Sequence, residues 1–282
     1  MIISVASPRH GNGQTITAVN MSAVISDLIE SEVIVVDTNK TCLDLEYYLS
    51  RSTVTKGLDN FYSLYRSGFL SRATFKTCVK RITDNIDIMS SNLCSEIEPE
   101  DIDVLIEYLQ NFYKVIIIDT SGFYNGISKS LINKSDNIVA LLPQTKNVIM
   151  QFIDNNPYQG YKDKLSVVIN KYMNDYEGKK LSYTEQEIKK DLKELGYENP
   201  FFLEYDIDLK NECDSNAALN YALGNINKKR PYMEHLTDLC ECLLSSSGIG
   251  FTKREKSQNV IDRVKGYLSL MQDNRRVGFN DK

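Results

Sequence analysis

Apolar residues in this chain gather in short unbroken runs, separated by longer stretches in which they recur at helical spacing. Ile2 to Ala6 is the first run; it breaks at Ser7-Pro8, passes Gly11 and Gly13, and enters a helical pattern from Thr15 to Ile29. That order predicts strand, glycine-containing loop and helix. Glu32 to Asp37 follows with Val33-Ile34-Val35-Val36 at its centre, the β-branched content that a strand buried on both faces requires. Together the three segments predict a parallel βαβ unit.

Residues Leu43 to Arg81 read as mostly helical and amphipathic, with breaks at Gly57 and Gly68, and lead to a strand at Ile86–Met89. Pro99 to Phe112 predicts a helix with proline in its first turn. Lys114 to Asp119 is the strongest buried-strand signal and ends in an aspartate before Thr120-Ser121-Gly122. Runs at Asn137–Leu142 and Leu165–Asn170, and a weaker one at Pro200–Leu203, complete the set. Such alternation predicts an α/β fold: a doubly wound, mostly parallel sheet flanked by helices, with sites at the carboxyl ends of its strands.

Composition narrows the function classes. A chain of 282 residues with 42% hydrophobic content can bury a sizeable core, so disorder is not the expectation. Its formal charge of −5 gives the whole molecule no attraction for nucleic acid or an anionic membrane. About five apolar residues precede Pro8, too few for a signal peptide, and no run of roughly 18 apolar residues occurs. A soluble, cytoplasmic protein, at most peripheral at a membrane, is expected. The six cysteines (Cys42, Cys78, Cys94, Cys213, Cys240 and Cys242) are scattered and histidines number two, which argues for reduced thiols rather than metal ligation. The 17 tyrosines come without tryptophan or interleaved basic residues, so they read as core and surface residues rather than a base-stacking face.

The segment Arg9-His10-Gly11-Asn12-Gly13-Gln14-Thr15-Ile16 sits where a phosphate cradle belongs: after a first strand, with glycines that let the backbone wrap an anion, at a helix N-terminus. It does not match the standard Walker pattern. The plainer alternative is a tight turn in a chain that has lost nucleotide binding. His10, with no nameable acid partner, reads as a surface loop residue.

With its context, the segment resembles the ParA/MinD family of deviant Walker ATPases, closest in character to the TadZ/CpaE-like branch found with pilus and secretion machinery. The family loop reads lysine-glycine-glycine-x-glycine-lysine-threonine. Aligned on Ser7-Pro8, its signature lysine falls on Arg9, its first glycine on His10, the next two on Gly11 and Gly13, its phosphate-loop lysine on Gln14, and its magnesium-binding threonine on Thr15. Asp37 resembles the first aspartate of the second-strand motif, Ile117-Ile118-Asp119-Thr120 with Gly122 resembles Walker B and switch II, and Val168-Ile169-Asn170-Lys171 is similar to the adenine-contacting strand end. The resemblance spans roughly residues 1–245, expected to form the nucleotide-binding domain. It implies ATP and Mg2+ as cofactors, with Arg9 through Ile16, Gly122 and Asn170 on the nucleotide and Thr15, Asp37 and Asp119 on the metal, directly or through water.

The departures bear on mechanism. Gln14 offers a neutral amide where the family offers a full charge. Asn39 stands where a carboxylate positions the attacking water, and an amide cannot accept that water's proton. Each loss is worth about 2–4 kcal/mol of transition-state stabilisation by analogy with other charge-stabilising groups. Asp37, Asn39 and Asp119 are therefore only weak catalytic candidates, and hydrolysis is expected to be very slow or absent. Arg9 keeps a charge that can reach across a nucleotide-bridged homodimer.

These features imply an ATP-binding, nucleotide-stabilised dimer acting as a localisation or assembly factor for a pilus, secretion or conjugation apparatus, with protein partners in that assembly. The rivals are a slow, partner-stimulated ATPase that positions DNA or protein, and a nucleotide-free interaction scaffold. Residues 246–282 form the one composition shift, a basic tail. Between Lys253 and Arg276 it carries a net charge of +4, with Val260, Ile261, Val264, Leu268 and Met271 at helical spacing. Packing on protein is favoured for it over contact with membrane or DNA.

Overall fold

The computed structural model describes residues 1–38, 44–49, 56–90, 101–120, 126–154, 159–194 and 196–252. In chain order the elements are β1 (Ile2–Ala6), α1 (Gln14–Ile29), β2 (Val33–Asp37), α2 (Asp44–Leu49), α3 (Leu58–Arg66), α4 (Arg72–Phe75), β3 (Lys80–Thr83), β4 (Ile86–Met89), α5 (Asp101–Gln110) and β5 (Val115–Asp119). The second half comprises α6 (Gly126–Lys134), β6 (Asn137–Pro143), α7 (Lys146–Asp154), a 3-10 turn (Gln159–Lys164), β7 (Leu165–Tyr172), β8 (Asp175–Tyr176), β9 (Lys179–Lys180), α8 (Glu185–Lys193), β10 (Phe201–Glu204), α9 (Ile207–Asp214), α10 (Ala218–Asn225) and α11 (Pro231–Ser246).

Among the described residues the main sheet has eight strands in the order β10-β7-β6-β1-β5-β2-β4-β3. All neighbours are parallel except β3, which runs antiparallel to β4 at one edge. Every residue of β1, β2, β4 and β5 is buried, as a strand with helices on both faces requires. Alternate side chains split between two layers. Ile3, Val5, Val35, Ile117 and Val139 pack with α1, α10 and α11, whereas Ile2, Ile34, Val36 and Ile118 face Phe61, Phe75 and Leu105 from α3, α4 and α5. A third cluster, with Ala140, Leu142 and Ile169, covers the other end of that second face through Ile149 of α7 and Ile188 of α8. The doubly wound α/β sheet expected from the sequence is thus present.

Three local departures have plain causes. The helical reading of Leu43–Arg81 runs into β3, whose Lys-Arg-Ile-Thr sequence has no buried face and pairs only at the sheet edge. A small hairpin of β8 and β9 is exposed throughout, so no hydrophobic period marks it. Cys240 and Cys242, on different sides of α11, are both buried because that helix is covered nearly all round. Cys42, Cys94, Pro99 and the basic tail from Lys253 lie outside the described residues. No described helix is long and apolar enough to cross a membrane.

Candidate functional site

At the carboxyl edge of the parallel strands, β1 turns into α1 through the glycine loop. Gly11 (φ +81) and Gly13 (φ +84) both adopt the left-handed conformation that favours glycine. Gly13 is the N-cap of α1 and supplies no side-chain cap, so no capping side chain occupies the amides of the first helical turn among the described residues. No acidic residue lies in that turn either. Exposed amides at the positive end of a helix dipole form an anion site.

The loop is held from several sides. Ser7 donates its hydroxyl to the Leu141 carbonyl at 2.9 Å and accepts the Asn12 side-chain amide at 2.7 Å. Asn170, at the end of β7, donates Nδ2 to the Asn12 carbonyl at 2.7 Å, and Lys171 donates Nζ to the Gly11 carbonyl at 3.0 Å. A Cβ on Gly13 would stand 2.7 Å from the Asn170 amide nitrogen, so the strand end and the loop fit only with glycine there.

Position 14 has no charge to offer, and its amide is already engaged: Gln14 Nε2 donates to the Thr120 carbonyl at 2.8 Å. Thr15 donates its hydroxyl to Asp119 Oδ2 at 2.5 Å. Burial pushes the Asp119 carboxyl up to about 7; the Thr15 bond opposes that shift and the nearby Asp44 carboxylate adds to it. A hydroxyl and a buried carboxylate in contact, with no cation paired to them among the described residues, suit a hard divalent ion such as magnesium. Asp37 lies beside Asp119 in the β2–β5 register and is buried at the strand end, without lining the cavity itself. Thr38 closes this corner by donating both its amide and its hydroxyl to the Asp119 carbonyl.

A cavity of about 450 Å3 opens over the loop. Of the residues singled out by sequence, His10, Gly11, Gly13, Gln14, Thr15, Ile16, Asp119 and Asn170 line it. Asn12 contributes its carbonyl and amide to the loop's own bonds rather than to the wall. Arg9 is elsewhere: it is exposed and donates Nη2 to Gln151 of α7 at 2.6 Å. Asn39 and Gly122 lie outside the described residues.

Sequence reasoning missed the far half of the cavity. Asp44 and Tyr48 of α2, Glu204 at the end of β10 with Tyr205 and Asp206 after it, Leu209, Lys210, Cys213 and Asp214 of α9, and Tyr232 of α11 form that side of the wall. Asp206 carried a legible signal, an aspartate before a helical segment: its side chain caps α9 by accepting from the amides of Asp208 and Leu209. Among the described residues the wall holds five carboxylates (Asp44, Asp119, Glu204, Asp206 and Asp214) against two lysines, Lys171 and Lys210. Lys210 is paired with Asp214. A polyanion would therefore enter with a divalent cation, and the apolar groups of Ile16, Leu209 and Tyr232 leave room for an uncharged ring beside it.

No family model and no curated protein matches the chain. Solved structures do. The ParA family ATPase from Chlorobium tepidum superposes with a TM-score of 0.68 at 19% identity, covering 85% of this chain and 98% of that one. The septum site-determining protein MinD from Pyrococcus horikoshii, complexed with Mg-ADP, gives 0.65 at 14% identity over 88% and 97% of the two chains. A variant of Cyanothece McdA in complex with ATP gives 0.64 at 14% identity over 91% and 98%. On its sheet order, its loop and these likenesses, the chain has the P-loop NTPase fold of the ParA and MinD ATPases.

Proposed function

We propose that this protein binds ATP with Mg2+ and hydrolyses it very slowly or not at all, using the nucleotide as a structural ligand. It would work as a nucleotide-stabilised homodimer of TadZ/CpaE-like character, a localisation or assembly factor whose partners are proteins of a pilus, secretion or conjugation apparatus. The observation that carries the reading is the glycine loop at the start of α1, with its uncapped amides and the Thr15–Asp119 pair beside it. These groups fit a phosphate chain and its metal ion without a loop lysine.

Two further observations support the structural role. The side-chain amide of Gln14 is tied to Thr120 rather than free to follow a moving phosphate, and Arg9 rests on its own chain, available to a partner only after leaving Gln151. A ligand bound by the folded dimer and not by the unfolded chain stabilises the dimer by mass action. MinD from Pyrococcus horikoshii carries Mg-ADP and the Cyanothece McdA variant carries ATP, which favours adenine nucleotides here. Residues 1–245 would carry this function, and the basic tail would pack on protein.

A second reading, a slow partner-stimulated ATPase that positions DNA or protein, is favoured by Asp44. Its carboxylate lines the cavity close enough to act on Asp119, so the site holds an acid group besides the one absent at Asn39. Melting-temperature measurements with and without Mg-ATP test the first reading: a rise is expected, and no change rejects it. Phosphate release that Asp44→Asn abolishes would favour the second.

A further inference from the structure

We propose that Lys171 supplies the positive charge of the phosphate site, a role the loop cannot fill with glutamine at position 14. This rests on the nucleotide reading above. β7 and β10 pair as Asn170 with Leu203, and the next pair is Tyr172 with Glu204, so Lys171 is passed over in the ladder. Its backbone is left-handed, with φ +56. In a regular strand, consecutive side chains point to opposite faces. An extra residue inserted at a bulge breaks that alternation and re-aims the side chain. Here Asn170 and Lys171, neighbours in sequence, both reach the same loop and donate to its successive carbonyls, Asn12 and Gly11.

That placement matters because, among the described residues, positive charge is scarce on this side of the cavity. Lys210 is paired with Asp214, and Arg9 points to α7. Among the described residues Lys171 donates only to a neutral carbonyl, and an ammonium has three donors. It is solvent-exposed and lines the cavity beside the loop amides. A phosphate chain seated on those amides lies within the sweep of a four-carbon side chain. Exchanging a neutral carbonyl for an anionic oxygen turns the contact into the stronger, charge-assisted kind. A cation normally built into the loop is thus delivered from the adjoining strand by a bulge.

Calorimetry on the full chain tests this with Mg-ATP and with adenosine, for the wild type, Lys171→Met, Lys171→Arg and the double variant Gln14→Lys/Lys171→Met. Lys171→Met should weaken Mg-ATP binding roughly tenfold or more, the usual worth of a hydrogen bond to a charged group. Lys171→Arg should keep most of the affinity, adenosine binding should barely change, and the double variant should recover Mg-ATP binding. Unchanged Mg-ATP affinity in Lys171→Met overturns the inference while leaving the nucleotide reading intact. So does a loss shared equally by adenosine, or one that Gln14→Lys fails to rescue, since either makes Lys171 a contact for the base or a prop for the loop's shape. A wild type that binds no adenine nucleotide removes both proposals.

Discussion

Gln14 Nε2 donates to the Thr120 carbonyl across 2.8 Å, which ties the first residue of α1 to the end of β5. The side chain standing in the loop-lysine position therefore acts as a tether between two elements, with no charge to place on a ligand. Replacing it with lysine should do two opposite things. Gln14→Lys loses a bond worth about 1 kcal/mol of stability. The same change should tighten Mg-ATP binding roughly tenfold by adding an ammonium beside the phosphates. Chemical denaturation and calorimetry on one variant separate the effects; a weaker affinity would place the phosphates away from position 14.

Gly11 and Gly13 share a left-handed backbone but not their surroundings. A Cβ at Gly11 meets nothing within 4 Å, whereas one at Gly13 comes within 2.7 Å of the Asn170 amide nitrogen. Gly11→Ala should cost only the conformational penalty, about 1 kcal/mol. Gly13→Ala should cost about 2–4 kcal/mol, because the strain is joined by displacement of Asn170 from the loop. Urea unfolding of the two variants checks the order; equal losses would mean that the Asn170 contact contributes nothing.

Two carboxyls at the cavity respond to pH in opposite senses. Asp119 is raised to about 7 by burial, so between its ordinary value near 4 and 7 the folded chain holds a proton that the unfolded chain has released. The metal-free protein should therefore lose stability as pH rises across that window. Asp206 is lowered: burial pushes it up, but bonds from Tyr221, the Leu209 and Asp208 amides and Arg230 together outweigh that. Its contribution is present above about 4 and is lost on acidification. Melting curves from pH 3 upward in chelator should pass through a maximum on the acid side of neutrality, and Mg-ATP should flatten the alkaline limb. A metal-free Tm that climbs steadily to pH 8 would contradict the assignment of Asp119.

Asp206 also fastens the far wall. It caps α9, accepts from the Tyr221 hydroxyl at 2.6 Å and meets Arg230 at 3.4 Å. Asp206→Ala should cost about 1–2 kcal/mol for the cap. Loss of the acceptor for the buried Tyr221 hydroxyl adds a further 1–3 kcal/mol or so. Asp206→Asn, which can still cap, should fall between that variant and the wild type. Denaturant midpoints decide; an alanine variant as stable as the wild type would show that α9 does not depend on this residue.

The central strands were legible because their requirement is compositional: Val33–Val36 and Val115–Ile118 are buried on both faces and so carry apolar residues throughout. β3 and the β8–β9 hairpin lack a buried face, and a period cannot mark what burial does not impose. At the site, the glycines and the strand-end Asp119 and Asn170 announced themselves by type and position. Arg9 was legible as a charge but not as a contact, since Gln151 lies 142 residues away. The carboxylates and aromatics of the far wall come from α2, α9, α11 and the end of β10 with the segment that follows it, which only the sheet order brings together. Lys171 depends on a one-residue register shift that no periodicity records.

On the reading proposed above, the loop amides at the start of α1, with Thr15, Asp119 and the β7 strand end, bind a nucleoside triphosphate without a loop lysine. Isothermal titration of the purified protein with Mg-ATP measures this directly. A saturating heat of association at sub-millimolar ligand, lost in Gly13→Ala, is the predicted result; no detectable heat at millimolar Mg-ATP would contradict it and leave only the architecture.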